Sequence, residues 1–150
     1  MRYTVKFAHL ESLPELKEEQ IIKNGELIGV MGNTGKSSGA HLHLDLTGGF
    51  TSTIWRLSDI EPSREHARQT AYFIDKDLFK TKLKISSYYC DPRYRDENGK
   101  LILHPAYDCY PSNKLYDSFK IYWNRSMPGQ VLKVGNDFGY GYYCLIGFDA

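Results

Sequence analysis

The sequence predicts a mainly β, antiparallel protein with one helical connector. Three observations predict this class. Several stretches alternate apolar and polar residues with the period of two that is typical of a half-buried strand. Aromatic residues are frequent, with 12 Tyr, 7 Phe and 2 Trp. The chain also has 13 Gly, and many aromatics together with many glycines favour short strands joined by tight turns.

The first strand is predicted at residues 3–10, which alternate clearly. One face of this strand is expected to hold Tyr3, Val5, Phe7 and His9. Two short apolar runs follow at residues 21–22 and 27–31, and we expect both to be strands. Asn24-Gly25 lies between them and is a strong signal for a two-residue hairpin.

A loop of small residues is predicted at residues 32–40, and a strand at residues 41–46. The strand prediction rests on the strict alternation His-Leu-His-Leu-Asp-Leu. Because successive side chains of a strand point to opposite faces, His41, His43 and Asp45 are expected on one face and three leucines on the other.

The middle of the chain has a different pattern. Residues 62–79 hold the only helix-like stretch, opened by Pro62-Ser63, so we interpret residues 51–82 as a connector with a helix. From residue 83 onward the pattern is again that of strands. Segments at residues 119–123, 130–134 and 142–148 are predicted to form a β-meander.

Composition excludes several classes of protein. The 150 residues fit one domain. Lys+Arg is 19 and Asp+Glu is 18, with no basic stripe, so no nucleic-acid partner is expected. No apolar run approaches the roughly 20 residues that span a bilayer, so no membrane insertion is expected. The first six residues lack the apolar stretch of a signal peptide, and three cysteines in no paired spacing are expected to be reduced.

The histidines are the strongest chemical signal. Four of the five, His9, His41, His43 and His104, are predicted at or beside strand ends. In a strand, His41 and His43 project the same way with Cα atoms ~6.6 Å apart, so their rings can flank one small site. Each histidine taken singly is also compatible with an ordinary structural role.

His104 and Asp108 are a second candidate pair. Pro105 disfavours a helix at His104, and an extended chain would separate the two residues by ~13 Å. Both can therefore bind one metal only if the chain turns between them. Imidazole nitrogen and carboxylate oxygen suit zinc, which in catalytic sites takes three protein ligands and leaves one position to water.

A competing motif lies at residues 32–37, Gly-Asn-Thr-Gly-Lys-Ser, which looks like the end of a phosphate-binding loop. That motif needs a glycine where this chain has Val30, and a helix where it has an alternating strand. A nucleotide-binding function at residues 32–37 is therefore kept only as a rival hypothesis.

Three segments together carry a family resemblance: Lys23-Asn24-Gly25-Glu26-Leu27-Ile28-Gly29, Gly32-Asn33-Thr34-Gly35-Lys36-Ser37 and Gly39-Ala40-His41-Leu42-His43. They resemble the most specific stretch of the lysostaphin/LytM family, zinc endopeptidases that cut bacterial peptidoglycan. Phe7-Ala8-His9-Leu10 is similar to the Tyr-x-His-Leu segment that lies just upstream of that stretch in the family.

The order of the segments differs from that of the family. His104-Pro105-Ala106-Tyr107-Asp108 fits the family's H-x-x-x-D motif, which normally precedes the other segments. The resemblance therefore implies a single, circularly permuted domain of the LytM type. Its second half would be residues 1–50 and its first half residues 83–150, bridged by the connector at 51–82. Residues 142–148 and 3–10 would then be neighbouring antiparallel strands.

The resemblance also implies roles for the site residues. His43, His104 and Asp108 would be the zinc ligands, and His9 and His41 the two active-site histidines that do not bind zinc. The implied activity is hydrolysis of peptidoglycan peptides at the bacterial cell wall. Without a signal peptide we expect an extracellular or virion-delivered lysin, with phage tail proteins as partners. The alternative is a non-catalytic cell-wall-binding or structural tail module on the same scaffold.

Overall fold

The computed structural model describes residues 2–37, 39–48, 83–87, 92–103, 107–111 and 119–149. These residues form eleven strands and no helix, so the mainly β, antiparallel class is confirmed. The connector at 51–82 with its predicted helix lies outside the described residues, and so do Cys90 and His104. No helix in the described part of the chain is long and apolar enough to cross a membrane.

Seven strands form the main sheet, in the order β2-β10-β11-β1-β4-β8-β5. Two smaller two-stranded sheets pair β3 with β9 and β6 with β7. The bounds are β1 (Arg2–Leu10), β2 (Ile21–Ile22), β3 (Leu27–Val30), β4 (Leu42–Gly48), β5 (Leu83–Ser87), β6 (Pro92–Arg95), β7 (Leu101–Leu103), β8 (Tyr107–Pro111), β9 (Lys120–Tyr122), β10 (Gly129–Asp137) and β11 (Gly141–Asp149).

The last strand of the chain pairs with the first. β1 and β11 are antiparallel over their whole lengths, and Arg2 lies opposite Asp149. The expected adjacency of residues 3–10 and 142–148 is thus confirmed. On the other side of β1, β4 pairs antiparallel from Ala8 opposite His43 to Tyr3 opposite Gly48. The two ends of the chain therefore meet in the middle of the main sheet.

The residues of the main sheet contribute to two buried clusters, a larger one and a smaller one formed by Ala8, Tyr143 and Leu145. On β11, Cys144, Ile146 and Phe148 belong to the main buried cluster and Tyr142 packs against it. Trp123 is fully buried and meets the Phe148 ring edge-on, with centroids 5.3 Å apart. Burying a large apolar side chain of this kind contributes roughly 1.5–3 kcal/mol.

Two predicted strand pairings are wrong. A tight turn does form at Asn24-Gly25, with Gly25 at φ 87° and the Glu26 amide donating to the Lys23 carbonyl over 3.0 Å. However, β2 pairs with β10 and β3 pairs with β9, so the turn joins two sheets and makes no hairpin. For the same reason β9 is not part of a meander with β10. A turn signal determines where the chain reverses, but the partner of each strand depends on edges supplied by distant segments.

Candidate active site

A bulge in β1 moves His9 away from the core. Phe7 pairs with Cys144 and Leu10 with Tyr142, so three steps along β1 match two steps along β11. The extra residue returns Leu10 to the core side and leaves His9 on the opposite face. The prediction that His9 shares a face with Phe7 is therefore wrong. His9 adopts φ 59°, a left-handed conformation that few residues other than glycine take, and bulges commonly redirect side chains beside active sites.

The pairing of β4 with β8 brings a histidine and a carboxylate together. His43 lies directly opposite Asp108, while its neighbours Leu42 and Leu44 point into the core. The leucine face predicted for this strand is thus confirmed at Leu42 and Leu44. His43 Nδ1 is 3.3 Å from Asp108 Oδ1, and the two side chains are only 8% and 13% exposed.

His41 approaches the same carboxylate oxygen from the start of β4. Its backbone forms an isolated bridge with Gly32, and its Nε2 lies 3.5 Å from Asp108 Oδ1. The ring of His9 has its centroid 4.8 Å from that of His41 and 5.6 Å from that of His43. The structure thus brings four of the predicted site residues together, three from the first fifty residues and Asp108 from far along the chain.

The donor atoms are those that zinc binds. Two ligand atoms at about 2.0–2.1 Å from a tetrahedral ion are roughly 3.3 Å apart, which is the distance between His43 Nδ1 and Asp108 Oδ1. In the described residues no group of three or more His, Cys, Asp or Glu side chains is arranged to hold a metal ion. The third predicted ligand, His104, lies outside them. The same 3.3 Å separation fits two ligands of one zinc ion and also a direct histidine–aspartate ion pair.

Burial changes the proton affinity of His9. This side chain is 5% exposed, and burial is the main cause that lowers the pKa of His9 below its ordinary value. The backbone carbonyl of Thr34 opposes the shift because it accepts a hydrogen bond from the ring, whereas nearby His43 and His41 lower the pKa further. The balance favours a neutral imidazole, which is the form able to accept a proton.

Tyr140 contacts this cluster and Lys6 contacts Tyr140, and neither residue was among the sequence predictions. The ring of Tyr140, in the turn between β10 and β11, lies 5.4 Å from the ring of His43. Lys6 on β1 places its Nζ 3.7 Å from the centroid of the Tyr140 ring, within range of a cation–π interaction. No motif marked Tyr140 or Lys6, because their contact depends on the packing of the turn against β1.

The loop at residues 32–37 does not have the surroundings of a phosphate-binding loop. The amide of Lys36 donates to the Gly139 carbonyl over 2.9 Å, and the amide of Ser37 to the Gly35 carbonyl over 3.0 Å. Strand β4 follows soon after, where a phosphate loop would lead into a helix. The likeness of residues 32–37 to that motif is limited to the sequence.

Comparison with known proteins bears on the first third of the chain. No solved structure matches the chain significantly. Residues 1–52 match the model of Peptidase family M23. That match indicates a metallopeptidase and, in general terms, peptidase activity on peptidoglycan. It covers His9, His41 and His43 but not Asp108. The likeness to that family is thus shown over residues 1–52, which include three of the four predicted site residues that the structure brings together.

Proposed function

We propose that this protein is a zinc-dependent endopeptidase that hydrolyses peptide bonds in bacterial peptidoglycan. The observation that carries the proposal is the convergence of His43 Nδ1 and His41 Nε2 on Asp108 Oδ1, at 3.3 and 3.5 Å. His43, Asp108 and His104 are the proposed ligands. His104 is included because it begins the H-x-x-x-D motif that ends at Asp108.

The proposed chemistry divides between the metal and the two remaining histidines. When bound, zinc supplies a Lewis acid that polarises the scissile carbonyl and acidifies water. His9 and His41 lie beside the ligand pair with their rings 4.8 Å apart. One of them accepts the proton of the attacking water, and the other stabilises the charge that develops on the carbonyl oxygen. The ring of Tyr140 packs edge-on against His43, with the ring centroids 5.4 Å apart.

The proposal includes the permuted order of the chain. Residues 1–50 would be the second half of the family domain and residues 83–150 the first, joined through 51–82. Two observations support this hypothesis. The ends of β1 and β11 lie opposite each other, as the arms of an opened hairpin would. The site combines His43 from the first segment with Asp108 from the second, across one strand pair.

The proposed place of action is the bacterial cell wall, reached as an extracellular or virion-delivered lysin. Phage tail proteins are the proposed partners, and peptidoglycan peptides the substrate. These proposals follow from the family resemblance, and the clearing of cell walls tests the substrate among them.

The test is metal content and cell-wall clearing by the purified chain. We expect bound zinc, and clearing of a bacterial cell-wall suspension that a chelator abolishes and added zinc restores. His43→Ala and Asp108→Ala should lose both zinc and activity, whereas His41→Ala should keep zinc and lose activity. Asp149→Asn is a matched control, because it changes an exposed carboxyl at the opposite end of β11 from the turn that contacts the site.

Two results would contradict the proposal. Zinc-loaded protein that binds cell walls without ever clearing them would favour the non-catalytic module. Equal loss of zinc in His41→Ala and His43→Ala would show that the roles within the His-x-His pair are wrong.

A further inference from the structure

The loop segment at residues 32–37 contacts the ring of His9 through the backbone of Thr34. His9 Nδ1 lies 2.7 Å from the backbone carbonyl oxygen of Thr34. A carbonyl oxygen can only accept, so the hydrogen of this bond must be on Nδ1. In the neutral ring the lone pair is then on Nε2, and Nε2 is the nitrogen available to accept a proton.

The side chain of Thr34 holds that carbonyl in place. Its hydroxyl donates to the Leu10 carbonyl over 2.5 Å and accepts from the Tyr142 amide over 3.1 Å. The backbones also approach very closely, since a Cβ added to Gly35 would lie 2.2 Å from the Gly141 nitrogen. The hydroxyl of Thr34 therefore ties the loop to both β1 and β11 immediately beside His9.

At the other end of this loop, the ring of His41 makes a similar hydrogen bond to a backbone carbonyl. His41 Nδ1 lies 2.7 Å from the Gly39 carbonyl oxygen, so this nitrogen also carries its hydrogen. The hydroxyl of Ser37 is 3.1 Å from the same Nδ1 and donates to Asn33 Oδ1 over 2.5 Å. His41 Nε2 is left facing Asp108.

We propose that the loop residues 32–37 and 39–40 set the tautomer and orientation of both His9 and His41, with Thr34 and Ser37 as positioning residues. Each ring is held with its hydrogen on Nδ1, and in His41 this leaves Nε2 3.5 Å from Asp108 Oδ1. The proposal rests on the proposed function for its effect on catalysis, but the tautomers themselves do not depend on it. It also gives a role to the glycine-rich motif that resembles a phosphate loop.

The test uses the full zinc-loaded chain, labelled with ¹⁵N in its histidine rings. Two-bond ¹H–¹⁵N correlation spectra distinguish the two neutral tautomers, and they are recorded at about two pH units above the ordinary histidine pKa of ~6.5. We expect His9 and His41 both in the Nδ1–H form. Thr34→Val, which keeps the shape and removes the hydroxyl, should alter the His9 signals alone. Ser37→Ala should alter the His41 signals alone.

Kinetics on a soluble muropeptide that the wild type cleaves provide the second readout. Thr34→Val should lower kcat roughly tenfold or more, part of the ~10²–10⁴-fold that acid–base catalysis contributes, and leave KM nearly unchanged. Thr34→Ser keeps the hydroxyl and should restore both the spectrum and kcat. Thr4→Val is the matched control, since it makes the same change five residues before His9 on β1 and should alter neither readout.

An Nε2–H tautomer at His9 or His41 in the wild type overturns the inference, and so does a Thr34→Val protein with an unchanged His9 spectrum and kcat. If Thr34→Val does not fold, the wild-type spectrum together with Thr34→Ser and Ser37→Ala decides the question. Nδ1–H tautomers that respond to the variants as expected, in a chain that cleaves no muropeptide, would uphold the tautomer assignment and refute the proposed function.

Discussion

Joining the two ends of the chain should give an active and more stable protein. Arg2 lies opposite Asp149 in a continuous antiparallel pair, so a direct bond between residues 150 and 1 makes a two-residue connection. The two-residue turns that match strand twist favour Asn-Gly. We therefore choose a backbone-cyclised chain that carries Ala150→Asn and Met1→Gly.

The expected gain in the free energy of unfolding follows from the conformational entropy of the unfolded chain. Closing a loop of 150 residues lowers the conformational entropy of the unfolded chain. This destabilises the unfolded state by about 5 kcal/mol. Ordering two turn residues costs roughly 1–2 kcal/mol each, which leaves a net stabilisation of about 1–3 kcal/mol. At ~2–4 °C per kcal/mol for a chain of this size, the melting temperature should rise by about 2–12 °C.

The assay compares the cyclised protein with a linear chain that carries the same two substitutions. Urea unfolding gives the free energy of unfolding, and clearing of a cell-wall suspension gives the activity. A second cut of the cyclised protein, placed within residues 51–82, would produce the usual order of the family. We expect that recut protein to fold, to bind zinc and to clear cell walls.

A cyclised protein that is less stable than its linear control would refute this reasoning, because the bond would then be straining the pair of β1 and β11. Loss of activity only in the recut protein would refute the permutation and leave the strand pairing intact. In that case residues 51–82 would have a role beyond joining the two segments.

Further predictions concern the core, the loop and the connector. Leu44→Ala removes a side chain that is 1% exposed and should cost about 2–5 kcal/mol in urea unfolding; a cost below ~1 kcal/mol would contradict the core placement. Gly35→Ala combines a φ of +75° with a Cβ 2.2 Å from the Gly141 nitrogen, so both stability and activity should fall, and an unchanged protein would show that the loop moves freely. Burial raises the pKa of Cys144 to about 12, so its thiol should resist alkylation near neutral pH until the chain unfolds, as measured by mass spectrometry. His66→Ala should change zinc content and activity little if residues 51–82 are only a connector.

The strands of the main sheet were largely predictable from local pattern. Alternation marked β1, β4 and β11, because a strand with one buried face must repeat every two residues. The partners were less predictable. The turn at Asn24-Gly25 suggested a hairpin, but the adjacent strands pair with β9 and β10 in different sheets. The backbone groups of a strand can form hydrogen bonds with any unpaired strand edge. Which edge lies close to a given strand depends on the whole fold.

The candidate residues of the site were visible in the sequence, whereas their convergence was not. Histidine and aspartate in strand-like spacing, with the family resemblance, identified His9, His41, His43 and Asp108 as candidates. Only the pairing of β4 with β8 places His43 opposite Asp108. Only the bulge in β1 moves His9 to the same face. The sequence indicates which side chains can bind a metal or transfer a proton, because these abilities belong to each residue type. Register and bulges depend on contacts between segments far apart in the chain, so tertiary structure alone decides whether those side chains meet.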